Sequence, residues 1–172
     1  MCADAVVPKT PLRRAILRIV AGLVVMALSA WASTCTPSWW LWPSQYWRGA
    51  WGLMFVAVGG TFLVWGLITD LAWGVILRSQ RPASDVVSTM LLAALERVSF
   101  MVALILGFYV WVGVWLALKM AARWPRAGES DPLVKAAGPR TAGNLWLIGN
   151  LLSVLISALG AWVSLGRLPR PG

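Results

Sequence analysis

The sequence predicts an all-α fold: an integral membrane four-helix bundle, with four transmembrane helices and no soluble domain. Three observations carry that reading. Hydrophobic residues make up 59% of the chain and charged residues 12%, where soluble domains hold ~45–50% and ~25%. Mean hydropathy is +0.74. The apolar residues gather into long runs, and ~20 such residues cross ~30 Å of hydrocarbon as a helix, because lipid offers a backbone no other hydrogen-bond partner. The 172 residues make one transmembrane domain and leave no room for a second.

The first span is expected over residues 11–32. Residues 1–9 form a short tail. Thr10 is placed as N-cap and Pro11 at the first helical position, where a missing N–H costs nothing. Arg13, Arg14 and Arg18 precede the apolar core, which ends near Trp31. A basic start before an apolar core also describes a secretory signal, and the residues up to Cys35 faintly resemble a lipoprotein cleavage site. Thr34 fits poorly there, so the segment is read as a retained helix.

The connection 33–49 is rich in aromatics: Trp39, Trp40, Trp42, Tyr46 and Trp47, with Trp51 just beyond. Flat apolar rings with one polar atom concentrate at head-group depth. An interfacial belt is expected, with a docking surface for a partner, lipid or flat ligand as the alternative.

The second span, 50–77, carries residues at four-residue spacing. Gly52, Val56 and Gly60 form one series, Gly66, Asp70 and Gly74 another, and Thr61, Trp65, Thr69 and Trp73 a third. Small residues so spaced let a neighbouring backbone approach. Arg78 and Arg81 mark an aqueous end.

Residues 86–121 are expected as the third helix, with 98–119 in the membrane. The apolar run 86–119 is broken only by Glu96 and Arg97. At ~1.5 Å per residue it reaches roughly 50 Å, too long for one untilted crossing and too short for two with a turn. Gly107 and Gly113 are read as glycines that a membrane helix tolerates. Asp85 is the expected N-cap, and Pro125 stops the helix.

Residues 122–141 read as a loop, with Pro125, Pro132, Pro139, Gly128, Gly138 and mixed charge. Thr141 is the expected cap of the fourth span, 142–165, which Gly166 and Pro169 end. Gly149, Ser153, Ser157 and Ala161 form a helix-packing stripe on it.

Orientation follows from Lys and Arg. Lys9, Arg13, Arg14, Arg18, Arg78 and Arg81 flank one side of the first hairpin and Arg48 the other. Four crossings then put both termini in the cytosol, in a bacterial inner (cytoplasmic) membrane. The second hairpin obeys less well: Lys119, Arg123, Arg126, Lys135 and Arg140 fall outside.

The chemistry is sparse. The net charge of +9 belongs to head-group contact, since no nucleic-acid module is visible. The chain has two cysteines, no CxxC pair and no histidine, so the usual disulfide relay and the commonest metal ligand are missing. No catalytic, cofactor or metal residues are assigned, and no cofactor is expected. Arg18, Asp70, Glu96 and Arg97 are expected as a charged cluster at the cytosolic helix ends, with Asp70 and Arg97 as its leading pair; a depth count of ~20 residues from Trp51 reaches Asp70, and the same count back from Leu118 reaches Ser99, just past Glu96 and Arg97. Nothing polar continues the path outward except Asn150. The leading expectation is a non-enzymatic accessory or assembly subunit of a larger membrane complex, or a homo-oligomer. Its partners would be membrane lipids and other membrane subunits or itself, with no nucleic acid. The alternative is a small channel or transporter that uses the charged cluster.

Overall fold

The structure is a computed structural model that describes residues 10–35, 44–76, 84–123 and 132–166. Regular structure among them is entirely helical. α1 is Thr10–Thr34. α2 runs without a break through Ser44–Met54, Phe55–Gly59, Gly60–Val64 and Trp65–Ile76, the second and fourth stretches being π-helical. α3 is Ser84–Ile105, α4 Tyr109–Arg123 and α5 Pro132–Leu165. Four helices are long and apolar enough to cross a membrane: Pro11–Thr34, Ser44–Gly74, Ser88–Ile105 and Arg140–Leu165. Tyr109–Ala121 is apolar but shorter.

The expected single helix over 86–121 is therefore two. α3 stops at Gly107, whose φ of 80° a residue with a Cβ adopts only at a cost. The Gly107 N–H donates to Leu104 O (3.3 Å) and the Phe108 N–H to Ala103 O (2.8 Å). That pair of bonds is a Schellman cap, which satisfies the last carbonyls of a helix. The turn thus needs no polar side chain and leaves no trace in the hydropathy. α4 then folds back along α3, and Phe100, Ala103 and Val112 are buried in a small cluster of their own.

Small residues bring α1 onto α2. A Cβ on Gly22 would lie 2.7 Å from the Leu63 N and 2.9 Å from the Gly59 O, so only glycine allows this backbone approach. The main core comprises Phe55, Val56, Leu63, Met101, Ile156, Ala161 and Val163, from α2, α3 and α5. The exterior carries Leu12, Ile16, Val20, Leu23 and Leu28 of α1 and Val110, Trp111 and Leu118 of α4, all exposed, an apolar surface compatible with a membrane.

Neighbour relations fix the helix directions. Gly74 sits beside Pro11 at one end of the α1–α2 pair, and Trp47 Nε1 donates to Ala32 O (2.9 Å) at the other. Arg97 is level with Ser157 and Met101 with Gly160, so α3 and α5 are parallel. Gly166 lies against Arg48. Residue 10 and residue 166 are thus at opposite ends of the bundle. Termini on one side require an even number of passes, and the return of α4 removes that condition.

Three further expectations shift. α2 begins at Ser44 rather than residue 50, so it takes in Tyr46 and Trp47. Helix also occupies part of the expected loop 122–141. The break falls at Gly138 (φ 80°, ψ 159°), so Pro139 takes the first position of the continuing helix and Thr141 lies inside it rather than capping it. The caps assigned to Thr10 and Asp85 lie outside the described side chains, as do Trp39, Trp40 and Trp42.

Candidate functional site

A cavity of about 270 Å³ lies between α2, α3, α4 and α5. The expected series Thr61, Trp65, Thr69 and Trp73 lines its α2 wall in full. Thr89, Met90, Ala93, Glu96 and Arg97 come from α3, Lys119 from α4, and Leu145, Trp146, Gly149, Asn150 and Ser153 from α5. The lining runs from Thr61, near the middle of α2, to Trp73 near the end that meets Pro11. In the other direction Val56, Met101 and Ile156, each at most 2% exposed, close the bundle with apolar packing.

Arg97 forms the inner limit of the cavity. Its residue exposure is 1%. Nη2 donates to Thr61 Oγ1 (2.6 Å), and the Thr61 hydroxyl donates to Ala57 O (2.5 Å). Nε and Nη1 are buried and find no acceptor among the described residues. The Ser157 hydroxyl fixes the backbone beneath, donating to Arg97 O (2.9 Å) and Ser153 O (2.8 Å).

Glu96 belongs to a different set. Lys119 Nζ donates to Glu96 Oε2 at 2.5 Å and to Asn150 Oδ1 at 3.2 Å. Asn150 Nδ2 donates to Trp146 O at 2.8 Å. This chain ties α3, α4 and α5 together across the cavity. Lys119 is the residue that sequence reasoning missed. A straight helix would hold it 23 residues, or about 35 Å, from Glu96; the Gly107 turn brings the two together.

Arg18 and Asp70 form a third group, on the α1 side. Arg18 Nη1 donates to Asp70 Oδ2 at 2.8 Å. The Arg18 guanidinium also stands 5.3 Å over the Trp65 ring, a cation–π contact. Trp65 faces the cavity, and its Nε1 is buried with no acceptor among the described residues.

The expected cluster of four charged residues is thus not one cluster. Asp70 pairs with Arg18 and not with Arg97. Glu96 pairs with Lys119. Arg97 stands level with Gly60 and Thr61, near the middle of α2 instead of at its end.

The α5 stripe is used inside the chain. Ser157 and Ala161 are fully buried, while Gly149, opposite Ile68, and Ser153 line the cavity. Among the aromatics, Trp47 spends its N–H on the last turn of α1 and packs edge-on against Trp51, with centroids 5.7 Å apart. Tyr46 is exposed.

Comparison of this chain with protein families, curated proteins and solved structures gives no match.

Proposed function

We propose that this chain is a small membrane transport protein whose solute enters the cavity and meets Arg97 at its inner limit. The observation that carries this reading is the burial of the Arg97 guanidinium at mid-bundle, with two unanswered N–H groups, on a residue that lines a cavity. A charge in that position costs several kcal/mol in desolvation, and apolar residues of similar volume generally serve stability as well or better. Ionisable groups inside a membrane bundle mark solute or ion paths for that reason. The apolar closure at Val56, Met101 and Ile156 makes the cavity a vestibule with a gate rather than an open pore.

The subunit or homo-oligomer reading draws on small-residue stripes, the aromatic-rich connection and the absence of catalytic motifs. The clearest stripe, on α5, is taken up within the chain, so it does not favour that reading over transport.

In orientation, we place the end that holds Pro11 in the cytosol. Through the return of α4, the sequence assigns Lys9, Arg13, Arg14, Arg18, Arg78, Arg81, Arg123, Arg126, Lys135 and Arg140 to that end, against Arg48, Arg167 and Arg170 at the other. The asymmetry then holds throughout the chain, as the positive-inside tendency asks. The vestibule opens to the cytosol, and the C-terminus emerges on the opposite face.

The test is flux. Purified protein in liposomes, on a solid-supported membrane, is given concentration jumps of chloride, phosphate, benzoate and potassium salts. A protein-dependent current lost in Arg97→Gln supports transport through this cavity. No current with any of these solutes, or one that survives Arg97→Gln unchanged, sinks the reading.

A further inference from the structure

We propose that the solute of this cavity is a singly charged oxyanion borne on an apolar body. The proposal names the ligand of the site described above and rests on its being a solute site. Three properties of the cavity lead to it.

The first is charge. Among the described lining residues there are one carboxylate, Glu96, and two cations, Arg97 and Lys119. Glu96 and Lys119 neutralise each other at 2.5 Å. Asp70 is held by Arg18, which stands over the Trp65 ring, and neither of the two lines the cavity. One positive charge, on Arg97, is left over in a low-dielectric interior, where an uncompensated charge is expensive. One negative charge balances it; two would leave the site as unbalanced as none.

The second is hydrogen bonding. Arg97 Nε, Arg97 Nη1 and Trp65 Nε1 are buried N–H donors without acceptors among the described residues, on residues that line the same cavity. Buried donors are nearly always answered. Three buried donors, with no buried side-chain oxygen left unpartnered among the described residues, suit an oxygen-bearing anion, whose oxygens accept several bonds each.

The third is the remaining wall. Trp73, Trp146, Ile68 and Met90 give the cavity apolar surface beyond the donors. A bare halide would leave that surface unused. The volume of about 270 Å³ exceeds the ~150 Å³ that holds benzene in a dry cavity, so an aromatic acid of benzoate size fits with its charge at Arg97. The same chemistry, one negative oxyanion on an apolar body, is also offered by an anionic lipid.

Isothermal titration of the full-length protein in phosphatidylcholine nanodiscs, with sodium benzoate as probe, tests this. Saturable binding is expected. Arg97→Gln should weaken it at least tenfold, as for a charge-assisted bond, and Trp65→Phe, which removes the N–H while keeping a smaller aromatic ring, about two- to tenfold. Arg13→Gln, at an exposed position outside the cavity, should leave it unchanged. If Arg97→Gln does not fold, Trp65→Phe carries the test. Native mass spectrometry separates the two sources. A phosphatidylglycerol molecule retained by wild type and lost in the cavity variants, with no benzoate binding, assigns the oxyanion to a lipid and keeps its class. Chloride bound as tightly as benzoate overturns the proposal, as does failure of both benzoate and phosphatidylglycerol to bind, or binding that Trp65→Phe and Arg97→Gln leave intact. Benzoate binding without flux would end the transport reading and spare the ligand class. A potassium current with no anion binding would do the reverse.

Discussion

Lys119→Met should be among the more damaging single substitutions in the bundle, because it leaves Glu96 facing the cavity alone. The cost follows from how the pair is held. Nζ and Oε2 are 2.5 Å apart, and the side chains of Lys119 and Glu96 keep 30% and 11% of their exposure. Removing one partner of a fully buried pair costs ~3–5 kcal/mol, while an exposed pair contributes ~0.2–1 kcal/mol. This pair lies between, with the acid much the more buried. Lys119→Met should therefore cost about 2–3 kcal/mol. Glu96→Gln combined with Lys119→Met leaves no stranded charge and should cost about 1 kcal/mol. Glu96→Gln alone, which leaves the partly exposed Lys119 able to reach water, should cost about 0.5 kcal/mol, so the coupling energy of the cycle is about 2 kcal/mol, far above the ~0.3–0.5 kcal/mol within which independent sites add.

The assay is reversible unfolding in mixed micelles, followed by tryptophan fluorescence, on the four proteins of the cycle. Two further cycles supply the contrast. Arg18 with Asp70 should couple by no more than about 1 kcal/mol, since Arg18 keeps 36% of its side-chain exposure and solvent screens the pair. Asp70 with Arg97, which do not meet, should be additive. A Glu96–Lys119 coupling near zero would refute the reasoning at its root, because it would return Lys119 to the far end of one long helix, about 35 Å away. A large Asp70–Arg97 coupling would do the same from the other side.

Three other outcomes are expected. Gly107→Val forces a β-branched residue to φ 80° and should cost at least ~1–2 kcal/mol in the same assay, whereas Gly113→Ala, whose new Cβ meets nothing within 4 Å, should be neutral; equal effects would mean that Gly107 is not a turn. Ser157→Leu places a large side chain at a fully buried position and removes the bond to Arg97 O, so overpacking alone should destabilise by ~1–3 kcal/mol, and an unchanged melting profile would put this face toward lipid. In intact cells an impermeant thiol reagent should label Cys35, exposed after α1, but not Cys2, and a protease added outside should remove a C-terminal epitope tag; a tag protected together with Cys2 would restore both termini to one side.

Much of the architecture is legible in the sequence because long apolar runs permit so few solutions other than helices. Apolar runs of spanning length mark α1, α2 and α5, and the Thr61, Trp65, Thr69, Trp73 series is legible as one face of α2, though not as the wall of a cavity. Arg18 is legible as a possible partner of Asp70, though not as the preferred one. The Gly107 turn is not legible by the same rules. Turns in soluble proteins are punctuated by polar residues that bond to water or backbone. Here Leu106 and Phe108 flank the glycine, and the backbone satisfies itself through Leu104 O and Ala103 O. The surviving signal is length: roughly 50 Å of apolar helix fits no bilayer untilted. The depth count failed at Arg97 for the same reason. Counted back from Leu118 along one helix, Arg97 falls at a membrane face, but the chain turns at Gly107 and Arg97 stands beside Thr61; Asp70, counted from Trp51, does meet Arg18.

That one turn also decides the chemistry. Arg18, Arg97, Asp70 and Glu96 taken together are neutral, and a neutral ring at helix ends asks for no ligand. Turning the chain at Gly107 adds a fifth charge, Lys119, and gives Glu96 to it. Asp70 is already held by Arg18, so the surplus falls on Arg97, the most deeply buried of the five side chains and the one with donors left over. The same reversal sets residue 123 at the end of the bundle that holds residue 10, and residue 166 at the other. A topology with Lys119 outside would thus remove the charge surplus and the orientation together, which makes thiol and tag accessibility a test of the ligand's charge as well as of the fold.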